Sequence, residues 1–207
     1  MTTVALLCEG KTDFVVLQAV VQHRVPAATV RAIQPKFDAS SSTTTGWTGL
    51  RDYLRRKGRD LAALMRFGGH CAVLIQVDAD VVPGACDDAR ERYQQAVDMV
   101  RSWTGLSHWP AGVFPVVPVL CLETWIAAAS ADYPQRRPAM ECMACAAVRG
   151  HMRTDAERQA MARKDSAFYA QYFAPRVRRH WEAVMRFCPQ GAGAFERILQ
   201  TLEERCL

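Results

Sequence analysis

The chain places carboxylates directly behind two short apolar runs, and this pattern constrains the fold more than any other feature. Glu9 and Asp13 follow Val4-Ala5-Leu6-Leu7-Cys8 in the stretch LLCEGKTD, and Asp78 and Asp80 close the run from Ala72 to Val77 in LIQVDAD. Short continuous apolar runs suit buried strands of a parallel sheet. In an open α/β sheet ligands bind beyond the carboxyl ends of the strands, so acidic clusters at two such ends can converge on one crevice. Hard oxygen ligands gathered in this way suit Mg2+ or Mn2+.

The rest of the pattern alternates. Residues 3 to 8 read as a strand, and residues 12 to 23 as a helix with Thr12 as N-cap and Phe14, Leu17, Val20 and Val21 turned inward. Residues 29 to 34 form a second strand, 71 to 77 a central one, and 113 to 119 a fourth, where Pro115 and Pro118 argue against a fully paired central position. Leu50, Tyr53, Leu54, Leu61, Leu64 and Met65 recur at helical spacing until Gly68-Gly69 stops the helix, and Tyr93, Val97 and Val100 stripe another from about 87 to 103. Asp87 and Asp88 either belong to the start of that helix or serve a second metal. The polar stretch 38 to 46, DASSSTTTG, reads as a loop, and from Glu123 onward the pattern is helical. Strands alternating with helices predict an α/β fold with a mostly parallel sheet of about four strands, right-handed crossovers and a helical C-terminal extension. A length of 207 residues suits residues 1–128 as the α/β domain and 129–207 as a helical extension packed on the same unit.

No signal peptide is visible after the uncharged start MTT, and no stretch reaches the roughly 18 apolar residues of a membrane span. A soluble, cytoplasmic protein with no membrane partner is the expectation. The eight cysteines are scattered, most in apolar surroundings, and without a secretory signal a disulfide framework is not expected. Cys142-Met-Ala-Cys145 is a single tight pair where a structural zinc site usually needs two, so buried thiols on a helical face are the simpler reading.

The net charge is +5, and the excess is uneven. Arg51, Arg55, Arg56, Lys57, Arg59 and Arg66 crowd one segment, and Arg163, Lys164, Arg176, Arg178 and Arg179 lie in the last third. Such faces either bind phosphates or simply face water. Trp47, Trp103, Trp109, Trp125 and Trp181 either offer stacking surfaces to bases or, as is commoner in helical chains, fill cores. The five histidines show no metal-ligand spacing.

The order E-G-x-x-D after the first strand and D-x-D after the third, at Glu9, Gly10, Asp78 and Asp80, resembles the toprim fold over roughly residues 1 to 125. That is the metal-binding domain of topoisomerases, bacterial primases and the nucleases of the overcoming-lysogenization-defect class. A nearer likeness is to small prokaryotic toprim-like proteins, some of them found in phage-defence settings beside an ATPase, which carry a glutamate before an aromatic and apolar helix start, here Leu122-Glu123-Thr124-Trp125-Ile126.

The resemblance implies that Glu9, Asp78 and Asp80 hold Mg2+ or Mn2+ and serve catalysis, with Glu9 a ligand or general base. Glu123, placed after the fourth apolar segment, is a further candidate ligand and catalytic residue at the same strand ends. Strand alternation would send Asp78 and Asp80 to one side. Gly10 would let the chain turn so that backbone N–H groups face a phosphate, with Lys11 adding a point charge. Lys164 either neutralises charge in a phosphoryl transfer or is a solvated helix lysine. Asp13 is favoured in a first helical turn by the dipole whatever its function, and Glu123 has the same alternative. Arg51, Arg55, Arg56, Arg59, Arg176 and Arg178 are the candidates for nucleic-acid contact. The leading expectation is therefore a Mg2+-dependent nuclease, a phosphodiesterase acting on nucleic acid as a defence effector. The alternative is a non-catalytic toprim-like subunit that binds nucleic acid or a separate ATPase, with homo-oligomerisation left open. A third reading is a phosphatase or nucleotidyl transferase for a small nucleotide. No P-loop is present, so nucleotide hydrolysis would belong to another chain.

Overall fold

The computed structural model describes residues 2–34, 46–133, 137 and 140–206. Four parallel strands, β1 (Thr2–Leu7), β2 (Ala28–Gln34), β3 (His70–Gln76) and β4 (Val113–Val116), form a sheet in the order β2-β1-β3-β4. The parallel α/β architecture expected from the alternating pattern is present. The two most apolar runs, β1 and β3, are the inner strands and pair directly, with Ala5 opposite Val73 and Leu7 opposite Ile75. β4 is an edge strand, in agreement with Pro115, which has no N–H to give a second neighbour.

Alternation along β1 and β3 divides the core between the two sheet faces. Val4, Leu6, Ala72 and Leu74 pack with α1 (Lys11–Arg24) and the C-terminal helices. Ala5, Leu7, Val73 and Ile75 pack with Leu50 and Leu54 of α2 (Gly46–Lys57), Leu61 of α3 (Leu61–Gly68) and Val100 and Trp103 of α4 (Ala89–Thr104). Burial on both faces is why these strands read as unbroken apolar runs. After β4 come α5 (Glu123–Ala128), α6 (Cys145–Gly150), α7 (Asp155–Arg163) and α8 (Ser166–Phe168). A π-helical turn, Tyr169–Phe173, then leads into α9 (Ala174–Arg179), α10 (Trp181–Phe187) and α11 (Gly191–Cys206). Trp125, Tyr169, Phe173, Phe195 and Leu199 of this region share one apolar cluster with Val4 and Leu6, so the C-terminal helices complete the sheet's own core.

Several sequence expectations are corrected. The helix read continuously from 50 to 66 breaks into α2 and α3 at a 3-10 turn, Gly58–Asp60. The cause is a close approach: a Cβ on Gly58 would stand 2.4 Å from Thr104 Cα at the end of α4. Gly10, not Thr12, is the N-cap of α1, and Phe14 is only half-buried while Val16 joins the inward face. Asp88 caps α4 by accepting N–H bonds from Arg90 (2.7 Å) and Glu91 (2.9 Å). Of the stretch 38–46, only Gly46 lies within the described residues, and it opens α2.

The cysteines depart furthest from expectation. Three disulfides link Cys71 to Cys206, Cys86 to Cys142 and Cys121 to Cys145, leaving Cys8 and Cys188 as buried free thiols. The tight pair 142/145 is thus split between two partners. The three bridges span 135, 56 and 24 residues, and no local spacing marks such partners.

Candidate functional site

The carboxyl ends of β1 and β3 adjoin, and the residues that follow them build an acidic crevice. A cavity of about 370 Å3 is lined by Glu9, Gly10, Lys11, Asp13, Asp78 and Lys164, with Thr12 and Gly46 completing the wall. Backbone bonds fix the loops that carry these groups. Gly46 N–H donates to the carbonyl of Glu9 (2.7 Å), so the basic helix α2 begins at the crevice. Ala79 and Asp80 donate to the carbonyls of Pro118 (2.9 Å) and Leu120 (3.3 Å), which ties the D-x-D turn to the chain leading into Glu123.

Within the site the polar groups interlock. Asp78 N–H donates to Glu9 Oε1 (2.7 Å), Gln76 Nε2 donates to Asp78 Oδ1 (3.0 Å), and Glu9 N–H donates to Gln76 Oε1 (3.3 Å). Gln76 is fully buried and so fixes one acidic loop against the other. Asp78 is extended at φ −70°, ψ 136°, but Ala79–Val81 turns into a 3-10 helix, which ends strand alternation. Asp78 is consequently buried whereas Asp80 is exposed, and only Asp78 lines the cavity. Gly10 has φ −153°, extended backbone open to any residue. Its use here is space, since a Cβ would lie 3.2 Å from Asp13 Oδ2.

On the far wall, Lys164 Nζ donates to Glu123 Oε1 (2.5 Å), and Tyr169 OH donates to the same oxygen (3.3 Å). The Glu123 side chain is 2% exposed and that of Lys164 48%. Lys164 has φ 50° and ψ 48°, and among the described residues no other non-glycine residue has positive φ. Left-handed backbone costs an L-residue roughly 1–2 kcal/mol. The turn that closes α7 therefore carries a local strain at the residue that delivers a cation to the acidic edge.

Crowding shows in the protonation equilibria. Burial and the neighbouring Asp13 carboxylate push Glu9 up to about 8. Burial raises Asp13 to about 7, with Glu123 adding to the rise and Lys164 opposing it. Burial, then Glu9, Asp13 and Glu123, hold Asp78 well above the usual carboxylate range, and burial with Glu123 raises Asp80. Burial works against the charge of Lys164, yet Glu123 and Asp13 raise it above its usual value. Burial and Glu123 also raise the Tyr169 phenol.

These side chains make a cation-seeking crevice of hard oxygen donors with one ammonium as counter-charge. Glu9, Asp78 and Glu123 each already have a protein donor on one oxygen, and among the described residues no three Asp, Glu, His or Cys side chains stand close enough to share an ion. The donor set has the chemistry of a Mg2+ or Mn2+ site. In this arrangement Lys164, Tyr169, the Gln76 amide and the Asp78 backbone N–H donate to it instead.

Among the candidates for nucleic-acid contact, Arg55, Arg56 and Arg59 are exposed on or just after α2. Arg51 lies over the Trp47 ring at 5.0 Å, and Trp47 stacks on Trp103 with ring centroids 6.2 Å apart. Arg176 is committed to the buried Glu157, while Arg178 is exposed and lies away from the crevice. Gln76 and Tyr169 were not singled out in the sequence. A glutamine at the end of an apolar run is the one local signal for the first. Tyr169 gives none, although π-helical turns recur at functional sites.

No protein-family model, curated protein or solved structure matches this chain. Among the described residues, no helix is long and apolar enough to cross a membrane.

Proposed function

We propose that the acidic crevice is the active site of a divalent-metal-dependent phosphodiesterase that cleaves nucleic acid. The observation that carries this reading is the gathering of Glu9, Asp13 and Asp78 around one cavity at the carboxyl ends of β1 and β3, with Asp80 two residues beyond Asp78 and Glu123 bonded to the cavity-lining Lys164. Glu9, Asp78, Asp80 and Glu123 would hold Mg2+ or Mn2+, which supplies an activated water and stabilisation of the leaving oxygen.

The chain's own residues have separate tasks. Lys11 and the first N–H groups of α1 border the cavity, where a helix N-terminus favours a phosphate. Glu9, at about 8, can take or hold a proton near neutral pH. Lys164 brings an ammonium to the edge where negative charge develops in phosphoryl transfer. The basic helix α2 starts at the crevice through Gly46 and extends for 12 residues, about 18 Å, which gives a strand a path away from it.

One observation favours the alternative of a non-catalytic subunit that binds nucleic acid or an ATPase. Lys164 already satisfies Glu123, and no three ligand side chains share an ion position among the described residues. The defence setting and the ATPase partner come from the toprim resemblance, the partner reading also drawing on the helical tail 181–207. Cytoplasmic location rests on the sequence reading, and three disulfides weigh against a reducing compartment.

Calorimetry with Mg2+ and Mn2+ on the native chain and on Asp78→Ala, followed by incubation with mixed DNA and RNA, tests the proposal. Metal binding and cleavage lost together in the variant support it. Binding without cleavage supports the subunit reading, and absence of binding even with nucleic acid present removes the catalytic one.

A further inference from the structure

At the other end of α1 a second cavity, of about 460 Å3, has the opposite character. Three guanidinium groups, Arg24, Arg178 and Arg179, and two imidazoles, His23 and His180, line it. Lys11 at the start of α1 borders the acidic crevice and Arg24 at its end borders this cavity, so 14 residues of helix set the two about 20 Å apart.

Cations at helix C-termini are favoured by the dipole, and this accounts for Arg24 at the end of α1. Its guanidinium is also neutralised, 2.6 Å from Glu196 and 3.8 Å from Glu203. Glu196 is fully used as well, since its second oxygen accepts from Trp181 Nε1 (2.8 Å). Arg178 and Arg179 likewise lie in the last turn of a helix, α9, but differ from Arg24 in lacking a neutralising carboxylate. Both are exposed and neighbouring in sequence, and neither has a carboxylate partner among the described residues. Of the carboxylates on the cavity wall, only Glu182 is not engaged with Arg24. Two guanidinium groups that border one cavity without a carboxylate partner leave positive charge there, and a phosphate offsets it while matching the planar donor fork of arginine.

We infer that this cavity binds a phosphate group, of a free nucleotide or of a nucleic-acid strand, with Arg178 and Arg179 as its direct partners. The inference is independent of what the acidic crevice does.

The test is calorimetric titration of the full chain with pyrophosphate, in the presence of a chelator, for the native protein and for the double variant Arg178→Glu, Arg179→Glu. The expected result is native binding that weakens at least about tenfold in the variant, the scale of losing a charge-assisted hydrogen bond. Both side chains are exposed, and the neutral pair R178Q/R179Q gives the same reading should charge reversal unfold the chain. Absence of native binding, or equal affinity in native and variant proteins, overturns the inference. Competition with AMP and with a 5′-phosphorylated oligonucleotide then separates the sources. Displacement of pyrophosphate by either one supports the site and names its ligand, and displacement by neither overturns it.

Discussion

Lys164 Nζ stands 2.5 Å from Glu123 Oε1, joining a strained left-handed turn after α7 to a carboxylate buried at the start of α5, 41 residues earlier. The backbone strain and the ion pair act in opposite directions at one residue, and substitutions can separate them. Because Lys164 is 48% exposed, water screens the pair. Lys164→Ala is expected to cost about 1–2 kcal/mol, not the roughly 3–5 of breaking a fully buried pair. Lys164→Gly loses the same ammonium but relieves the left-handed backbone, and should be more stable than the alanine variant by about 1 kcal/mol in urea unfolding. Both should bind Mg2+ more tightly in calorimetry, since a competing cation has left. Equal stability of the two variants would argue against the strain.

Metal-free stability should fall as pH rises. Glu9 goes from its ordinary 4.5 to about 8 and Asp13 from 3.8 to about 7. The folded state therefore holds protons that the unfolded chain releases, and the slope of stability against pH is negative. The contribution is complete below about pH 4 and is lost as pH climbs through about 7 to 8. Urea midpoints in chelator across this range measure the slope, and Glu9→Gln with Asp13→Asn should flatten it. A midpoint that rises with pH over the same range would contradict the crowded-carboxylate description.

Arg92 is a positioning residue for the D-x-D turn. Its buried guanidinium donates to the carbonyls of Val82, Pro83, Gly84 (2.6 Å) and Ala85, the chain that follows Asp80. Arg92→Met keeps the apolar stem and leaves these carbonyls without a donor, for an expected loss of about 2–4 kcal/mol. Amide exchange should speed up between residues 79 and 86 while β1 stays protected. Unchanged exchange there would show that the turn holds without the arginine.

Thiol labelling separates the two cysteine expectations. In denaturant without reductant, two thiols, Cys8 and Cys188, should react, and after reduction all eight. Eight reactive thiols before reduction would mean that the three pairs are only neighbours in the folded chain. Removing the Cys71–Cys206 bridge, which spans 135 residues, should cost about 4–5 kcal/mol in the chain-entropy account.

Elements were legible where local chemistry repeats. The unbroken apolar runs of β1 and β3 announced inner strands, Pro115 announced an edge, and carboxylates behind the runs marked the sheet edge where a site forms. The break at Gly58 was not legible, because it answers to Thr104, which is distant in sequence. Nor was the differing exposure of Asp78 and Asp80, since alternation gives way to a 3-10 turn whose N–H groups bond to the chain after β4.

The sequence by itself determined the order of strands and helices and which carboxylates end the strands, because hydrophobic periodicity and turn chemistry act between near neighbours. Tertiary structure alone decided that Lys164 and Tyr169 reach Glu123, that Gln76 joins Glu9 to Asp78, and that Arg178 and Arg179 face a cavity beside α1. The physical reason is that proton affinity, ion pairing and disulfide bonding depend on distance and desolvation, and both are set by packing between segments far apart in the chain.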